Sequence, residues 1–398
     1  MRYWLLLALP CILGCRASHQ GRTAADKNLQ EELRTSLTRA VAQYKYLGAT
    51  VPAHRFPRTF EQGKLQTTGA DGWVSGFFPG TLIQLYRFSG DTDLRATAQQ
   101  KLNELRSQQY NQHTHDLGFM MYGSFGQALS LFPSAGYDTV LINSARSLCS
   151  RFDPKIGCIR SWDSDSSHFL VIIDNMMNLE LLMHCFHVTG DSLFYKVAVT
   201  HANTTMQHHF RVDGSSWHVV DYDPKTGRPQ RKQTHQGAAD SSAWARGQAW
   251  SLYGFTMMFR ETGDQRYLQQ ASRIASFILG HPNWPSDAIP YWDFNAPGIP
   301  NAYRDASAAA VMASALLELK EYAKTPDKKR YKTTAVKILR QLSAAPYRSS
   351  GDEAGGFLLQ HSVGHFPKHS EIDVPLSYAD YYYVEAALRY LGLVHPKQ

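Results

Sequence analysis

The stretch CFHVTGDSLFYKVAVTHA, residues 185–202, decides the fold. An apolar run of helical spacing reaches Thr189, Gly190 and Asp191 interrupt it, and a second helical run follows. Glycine suits the left-handed position just past a helix end, and aspartate accepts hydrogen bonds from the first free N–H groups of the next helix. The phrase therefore predicts two antiparallel helices meeting at a tight corner. It recurs as LYRFSGDTDLRATA (85–98) and MFRETGDQRYLQQASRIASF (258–277), and more weakly as KEYAKTPDKKRYKTTAVKIL (320–339). Several αα-hairpins in one chain mean a helical repeat architecture. An open solenoid would have repeats more alike in length. A closed (α/α)-barrel, with inner helices around an axis and outer helices wrapping them, accepts long loops that build a cleft at one end. The segments between corners carry strand-like pieces such as SWHVVDYD (216–223) and IPYWDF (289–294). No interdomain linker interrupts the pattern, so one all-α domain is expected over residues 31–394.

The 398 residues are 43% hydrophobic and 19% charged, the balance of a globular chain able to bury a large core. Aromatic residues reach 12%, and aromatic faces are surfaces on which sugar rings stack. The net charge is +7, which favours anionic partners. Lysine and arginine are scattered, without a basic block, zinc spacing or RNA-binding signature, so a small anionic substrate or anionic polysaccharide fits better than nucleic acid. No obligate protein partner is indicated.

The first residues, MRYWLLLALPCILGCRASHQ, hold a short apolar run after Arg2 that ends in Ile-Leu-Gly-Cys. The run has the length of a signal h-region and is too short to span a bilayer. A small residue before a cysteine at that point suggests a bacterial lipoprotein signal over residues 1–15, with lipid on Cys15 and residues 16–30 as a polar tether. Simple secretion is the alternative. The expected place is the cell envelope, periplasmic or outer-membrane. Cys149, Cys158 and Cys185 remain, an odd number without metal spacing, which predicts buried free thiols and no zinc site.

Chemistry is expected where polar and aromatic residues mix. In VIIDNMMNLELLMH (171–184) apolar side chains crowd both sides of Asp174. Burying a carboxylate without partners costs several kcal/mol or forces it to take up a proton. Asp116, in HTHDLGFMMYGSFG (113–126), also stands at the start of an apolar helix. Each aspartate reads equally well as a helix N-cap, accepting backbone N–H groups. Two carboxylates at the mouths of neighbouring inner helices could instead converge on one ligand, with Asp116 a means of raising the pKa of Asp174.

Five motifs in order resemble the unsaturated glucuronyl hydrolases, glycoside hydrolase family 88. They are WVSGFFPGTL (73–82), HDLGFMMYGSFG (115–126), DNMMNLELL (174–182), HQGAADSSAWARGQAW (235–250) and HSVGHFPKHSEIDVPLSYADYYYVEAALRY (361–390). The likeness runs from about residue 40 to 392. It implies an (α/α)6-barrel, and a substrate bearing a 4,5-unsaturated uronic acid at the non-reducing end, left by a lyase acting on hyaluronan, chondroitin or heparin. It also implies roles. Asp174 matches the general acid/base and Asp116 the second carboxylate, with His115 beside it. His218, Gln236 and Arg246 match substrate contacts, Trp73 matches a stacking wall, and Trp162 is the choice for another. Trp250 is counted with the substrate-binding residues, though it shares a helical stretch with Trp244 and at least one of the two is expected in the core. Lys368 is expected to serve the subsite beyond the uronate. A Ser-x-x-Ser-x-Lys pattern, which some members use to read a sulfate, is not present before Lys368. No metal or organic cofactor is implied. The rivals are an unsaturated rhamnogalacturonyl hydrolase acting on pectin fragments, another (α/α)-barrel enzyme such as an epimerase or lyase, and a lipid-anchored glycan-binding protein without catalysis.

Overall fold

The computed structural model describes residues 24–129, 131–132, 136–350 and 352–394. The stretch read as a signal run, with Cys15, lies outside these residues. Among those described, the helices are α1 (Ala24–Thr50), α2 (Phe77–Ser89), α3 (Thr92–Leu105), a π-helix at Gly118–Gly126, α4 (Tyr137–Cys149), α5 (Asn175–Thr189), α6 (Ser192–His208), α7 (Ala245–Thr262), α8 (Gln265–Gly280), α9 (Ala306–Tyr322), α10 (Asp327–Leu342) and α11 (Ser377–Leu391). Because α1 starts at Ala24, residues 24–30 are helical and not tether. The reason is an apolar stripe, Leu29, Leu33, Leu37, Ala40, Tyr44 and Leu47, that reaches back into this polar stretch and is fully buried.

The repeat phrases form the corners they predict. Gly90, Gly190 and Gly263 each take a left-handed conformation, and their N–H groups close on Tyr86, Phe186 and Phe259 carbonyls. Asp91, Asp191 and Asp264 then cap α3, α6 and α8 through their carboxylates. The fourth, weaker phrase differs. With no glycine after α9, the chain leaves it extended at Ala323, Pro326 leads into α10, and Asp327 is the helix's first residue rather than its cap.

The inner ring runs α2, π-helix, α5, α7, α9, α11 and closes on α2, each helix packed on the next. The outer helices α3, α4, α6, α8 and α10 lie against their inner partners, and α1 covers the join of α11 and α2. Burial follows this division. Every residue from Ala245 to Met258 in α7 is buried. In α8 only one face is, at Tyr267, Gln270, Ala271, Ile274, Ala275 and Ile278. This is an (α/α)6-barrel.

Small antiparallel sheets fill the long loops at one end. They are β1 (Phe56–Glu61) with β2 (Lys64–Thr68), β3 (Phe152–Asp153) with β4 (Cys158–Ile159), the three strands β5 (Phe169–Ile172), β6 (Val219–Tyr222) and β7 (Pro229–Gln233) with β6 central, and β8 (Ser362–His365) with β9 (Ser370–Val374). SWHVVDYD supplies β6, whereas IPYWDF makes only single bridges, Tyr291 to Arg304 and Asp293 to Trp244. Cys158 and Cys185 are buried free thiols, and Cys149 is partly exposed.

Candidate active site

The six inner helices point their N-termini at one place. Trp73 precedes α2, Asp116 precedes the π-helix, Asp174 precedes α5, Arg246 lies in the first turn of α7, Asp305 caps α9, and Tyr378 opens α11. Helix N-termini carry positive partial charge, so this end of the barrel favours an anion. Trp73, Asp116, Asp174, Arg246 and Tyr378 line a cleft of about 220 Å³ there. A larger cavity, about 310 Å³, opens at the other end among Glu180, Glu385, Arg260 and Arg389. Those charges are spent on one another: Arg260 pairs with Glu180 and Glu318, and Arg389 with Glu318 and Glu385.

Asp174 occupies the N-cap position of α5 but does not cap it; its backbone is already helical and its carboxylate accepts no helix N–H. It is 8% exposed, and its Oδ2 has no hydrogen-bond partner among the described residues. Burial, reinforced by the charge of Asp116, pushes its pKa up to about 7, while Arg246 pulls the other way. Asp174 thus holds a proton near neutrality. Asp116 does not cap the π-helix either. Its Oδ2 accepts from the Thr114 hydroxyl at 3.1 Å.

Two buried histidines face these carboxyls in opposite tautomers. The backbone N–H groups of His235 and Gln236 both donate to His218 Nδ1, at 3.2 Å each. Burial, then nearby positive groups, hold His218 well below the ordinary histidine pKa, so it is neutral and its proton sits on Nε2. That N–H lies 3.6 Å from Asp174 Oδ2. His115 is arranged the other way. Asn175 spends its amide N–H groups on the Ile159 carbonyl and the Ser161 hydroxyl, so its oxygen accepts from His115 Nδ1. Burial lowers the His115 pKa as well, which leaves Nε2 as a bare acceptor 3.4 Å from Asp116 Oδ1. Two acceptors facing one spot suit donors on a ligand, such as adjacent sugar hydroxyls.

No protein-family model matches the chain. The chain is 43% identical over 355 residues to an unsaturated glucuronyl hydrolase of Formosa agariphila, covering 88% of each chain. It belongs to the unsaturated glucuronyl hydrolases. A crystal structure of an unsaturated glucuronyl hydrolase specific for heparin shares 44% identity with a TM-score of 0.88, over 91% of this chain and 97% of the other. An unsaturated chondroitin disaccharide hydrolase of Streptococcus agalactiae is 30% identical over 91% of each chain.

In this unsaturated glucuronyl hydrolase the expected binding residues divide. Trp73, His115, Trp162 and Gln236 line the cleft. Trp73 leans on Tyr378, with ring centroids 4.9 Å apart, and Trp162 packs against His235 at 5.0 Å. Gln236 Nε2 donates to the Gly364 carbonyl at 3.0 Å. His218 does not line the cleft; it stands behind Asp174, buried and stacked near Trp244. Trp250 is fully buried against Phe119 and Tyr382 and belongs to the floor beneath the cleft. Arg246 touches the cleft but is 1% exposed, and its donors go to Asp305, at 2.9 Å, and to the Val363 and Gly364 carbonyls. It fastens the β8–β9 hairpin to the barrel. Lys368 is exposed on the turn Phe366–Lys368 and is not part of the lining.

Sequence reasoning missed Arg58, His235, His365, Glu371 and Tyr378, which also line the cleft. Tyr378 was within reach, because it sits inside the motif HSVGHFPKHSEIDVPLSYADYYY. Arg58 was not, since nothing in FPRTFE marks it out. Among the described residues no group of three or more His, Cys, Asp or Glu side chains is placed to hold a metal ion.

Proposed function

We propose that this protein removes the 4,5-unsaturated uronic acid from the non-reducing end of lyase-generated glycosaminoglycan oligosaccharides by hydrating its vinyl ether. The observation that carries the reading is Asp174, a buried carboxyl with one unpartnered oxygen that keeps its proton near neutrality beside Asp116. A proton donor of that strength matches an enol-ether alkene, which must be protonated on carbon. Asp174 delivers its proton to C4, and cationic character develops at C5, shared by the ring oxygen. Water then adds at C5 while the Asp174 carboxylate takes its proton. The hemiketal opens and rearranges, and the neighbouring sugar leaves. His218 Nε2–H is aimed to steady the Asp174 carboxylate once its proton is gone. Asp116 and His115 Nε2 accept from the ring hydroxyls. Trp73 and Trp162 supply apolar walls.

The greater identity to the heparin-specific enzyme than to the chondroitin enzyme favours a heparin-type substrate. The alkene absorbance of unsaturated disaccharides from heparin, chondroitin and hyaluronan tests this directly. Loss with wild type and none with Asp174→Asn is expected, fastest on the heparin fragment. Binding without any loss would turn the reading towards a non-catalytic glycan receptor. The apolar run ending at Cys15 supports attachment to the cell envelope through a lipid on that residue. Cys15→Ser should then move the protein from the membrane to the soluble fraction.

A further inference from the structure

The cleft needs a cation with donors to spare, and its obvious candidates have none. Arg246 is committed to Asp305 and to the β8–β9 carbonyls. His115, His235 and His365 all have pKa values lowered chiefly by burial, and are neutral. Lys368 stands outside the lining. Arg58 remains. It occupies the irregular position of β1, where the register with β2 slips between Pro57 and Thr59 and leaves Arg58 without a partner residue on β2. Thr59 moors this strand by a hydrogen bond of 2.6 Å to the Pro375 carbonyl. The Arg58 side chain is 43% exposed and joins the cleft lining. Its Nε donates to Glu371 Oε1 at 2.5 Å, and its two terminal amino groups have no hydrogen-bond partner among the described residues.

Glu371 is built for that task. It holds a left-handed backbone, φ 56°, a conformation costly for a glutamate. Its side chain lies where a Cβ on Gly364 would stand, so only glycine at 364 leaves room for it. The carboxylate is 10% exposed and fixes one edge of the guanidinium, leaving the other turned to the cleft.

We infer that Arg58 binds an oxyanion of the substrate through its free amino groups, and that Glu371 is the positioning residue that aims it. The inference rests on the unsaturated-uronate reading above. Two groups on such a substrate share this chemistry, the carboxylate of the terminal uronate and a sulfate on the next sugar.

Dissociation constants separate them, measured by calorimetry on an Asp174→Asn background with unsulfated and sulfated unsaturated disaccharides. Wild-type alkene consumption is followed alongside. Arg58→Gln should weaken binding about 10- to 100-fold, as expected for losing a charge-assisted pair. Arg58→Lys should recover part of the loss, and Glu371→Gln should lose less than Arg58→Gln because the cation stays but is no longer aimed. In otherwise wild-type enzyme, Arg58→Gln should raise KM and leave kcat nearly unchanged. Equal loss on both disaccharides assigns Arg58 to the uronate carboxylate; loss on the sulfated one alone assigns it to sulfate. Unchanged binding of both by Arg58→Gln, in an enzyme that still consumes the alkene, overturns the inference and leaves the function standing. If wild type consumes no alkene and the Asp174→Asn parent binds neither disaccharide, the function falls and takes the inference with it.

Discussion

Asp174 keeps its proton at a cost that pH exposes. Its folded pKa is about 7, against an ordinary carboxylate value of 3.8 in the unfolded chain. Below the lower value both states are protonated and the site costs nothing. As pH rises between the two, the unfolded chain releases a proton that the folded protein retains, and stability falls, by up to about 4 kcal/mol. Asparagine carries no such proton. Asp174→Asn should therefore gain stability relative to wild type between about pH 4 and pH 8, read by denaturant unfolding at several pH values. Parallel pH profiles would show that the carboxyl is not held protonated. The same variant should lose about 10²- to 10⁴-fold in kcat, and wild-type kcat should decline above about pH 7 as Asp174 ionises. Both aspartates were legible in the sequence because a charge within or at the start of an apolar run is conspicuous. The roles of His218, Arg246 and Trp250 were not. Sequence places a residue near a cleft without telling which way its side chain faces: His218 and Trp250 support the site from behind and below, and Arg246 reaches the cleft with its donors already spent on Asp305 and the β8–β9 carbonyls.

At the scale of elements, the corners were legible because each is local: glycine ends one helix, aspartate caps the next, and both act within a few residues. The hairpins β1–β2 and β8–β9 were not, because their places are set by contacts remote in sequence. Arg58 and Glu371 are 313 positions apart. Arg246 and Asp305 form a buried pair, 1% and 0% exposed, that fastens β8–β9 over the inner helices. Removing one partner strands the other. Arg246→Met should lower stability by about 3–5 kcal/mol, whereas Arg58→Gln should cost less, about 1 kcal/mol, because the Arg58 side chain is 43% exposed and the glutamine amide can still donate to Glu371. Chemical denaturation of the two variants side by side checks the contrast. Equal stability would mean that Arg246 does not fasten the hairpin. Inner helices also touch backbone to backbone. A Cβ on Gly76 would run into the Met120 carbonyl, so Gly76→Ala should cost about 1–3 kcal/mol by separating α2 from the π-helix.

At the scale of the molecule, closure of the ring makes every inner helix a neighbour of two others. Such a structure has no end from which to fray, and loss of helix should coincide with loss of the packed tryptophan environment in one thermal transition. Circular dichroism and tryptophan fluorescence giving separate midpoints would argue for independent subregions. Closure was legible from the unequal repeat lengths; the number of hairpins came only with the family resemblance. The ring also explains why one end is chemical. It gathers six helix N-termini around Asp174 and Asp116 and leaves the opposite cavity to paired charges.

The central claim, that Asp174 protonates C4 of the unsaturated uronate, predicts a stereochemical result. A single acid fixed on one face of the ring can deliver its proton from that face only. The reaction is run in heavy water and the released product examined by NMR at early times, before the keto acid exchanges its own α-protons. Deuterium in one of the two C4 positions, with product from Asp174→Asn formed at least about 10²-fold more slowly, is the expected outcome. Deuterium shared equally between both positions would mean that C4 is protonated in solution after an ordinary glycosidic cleavage, and would contradict the account.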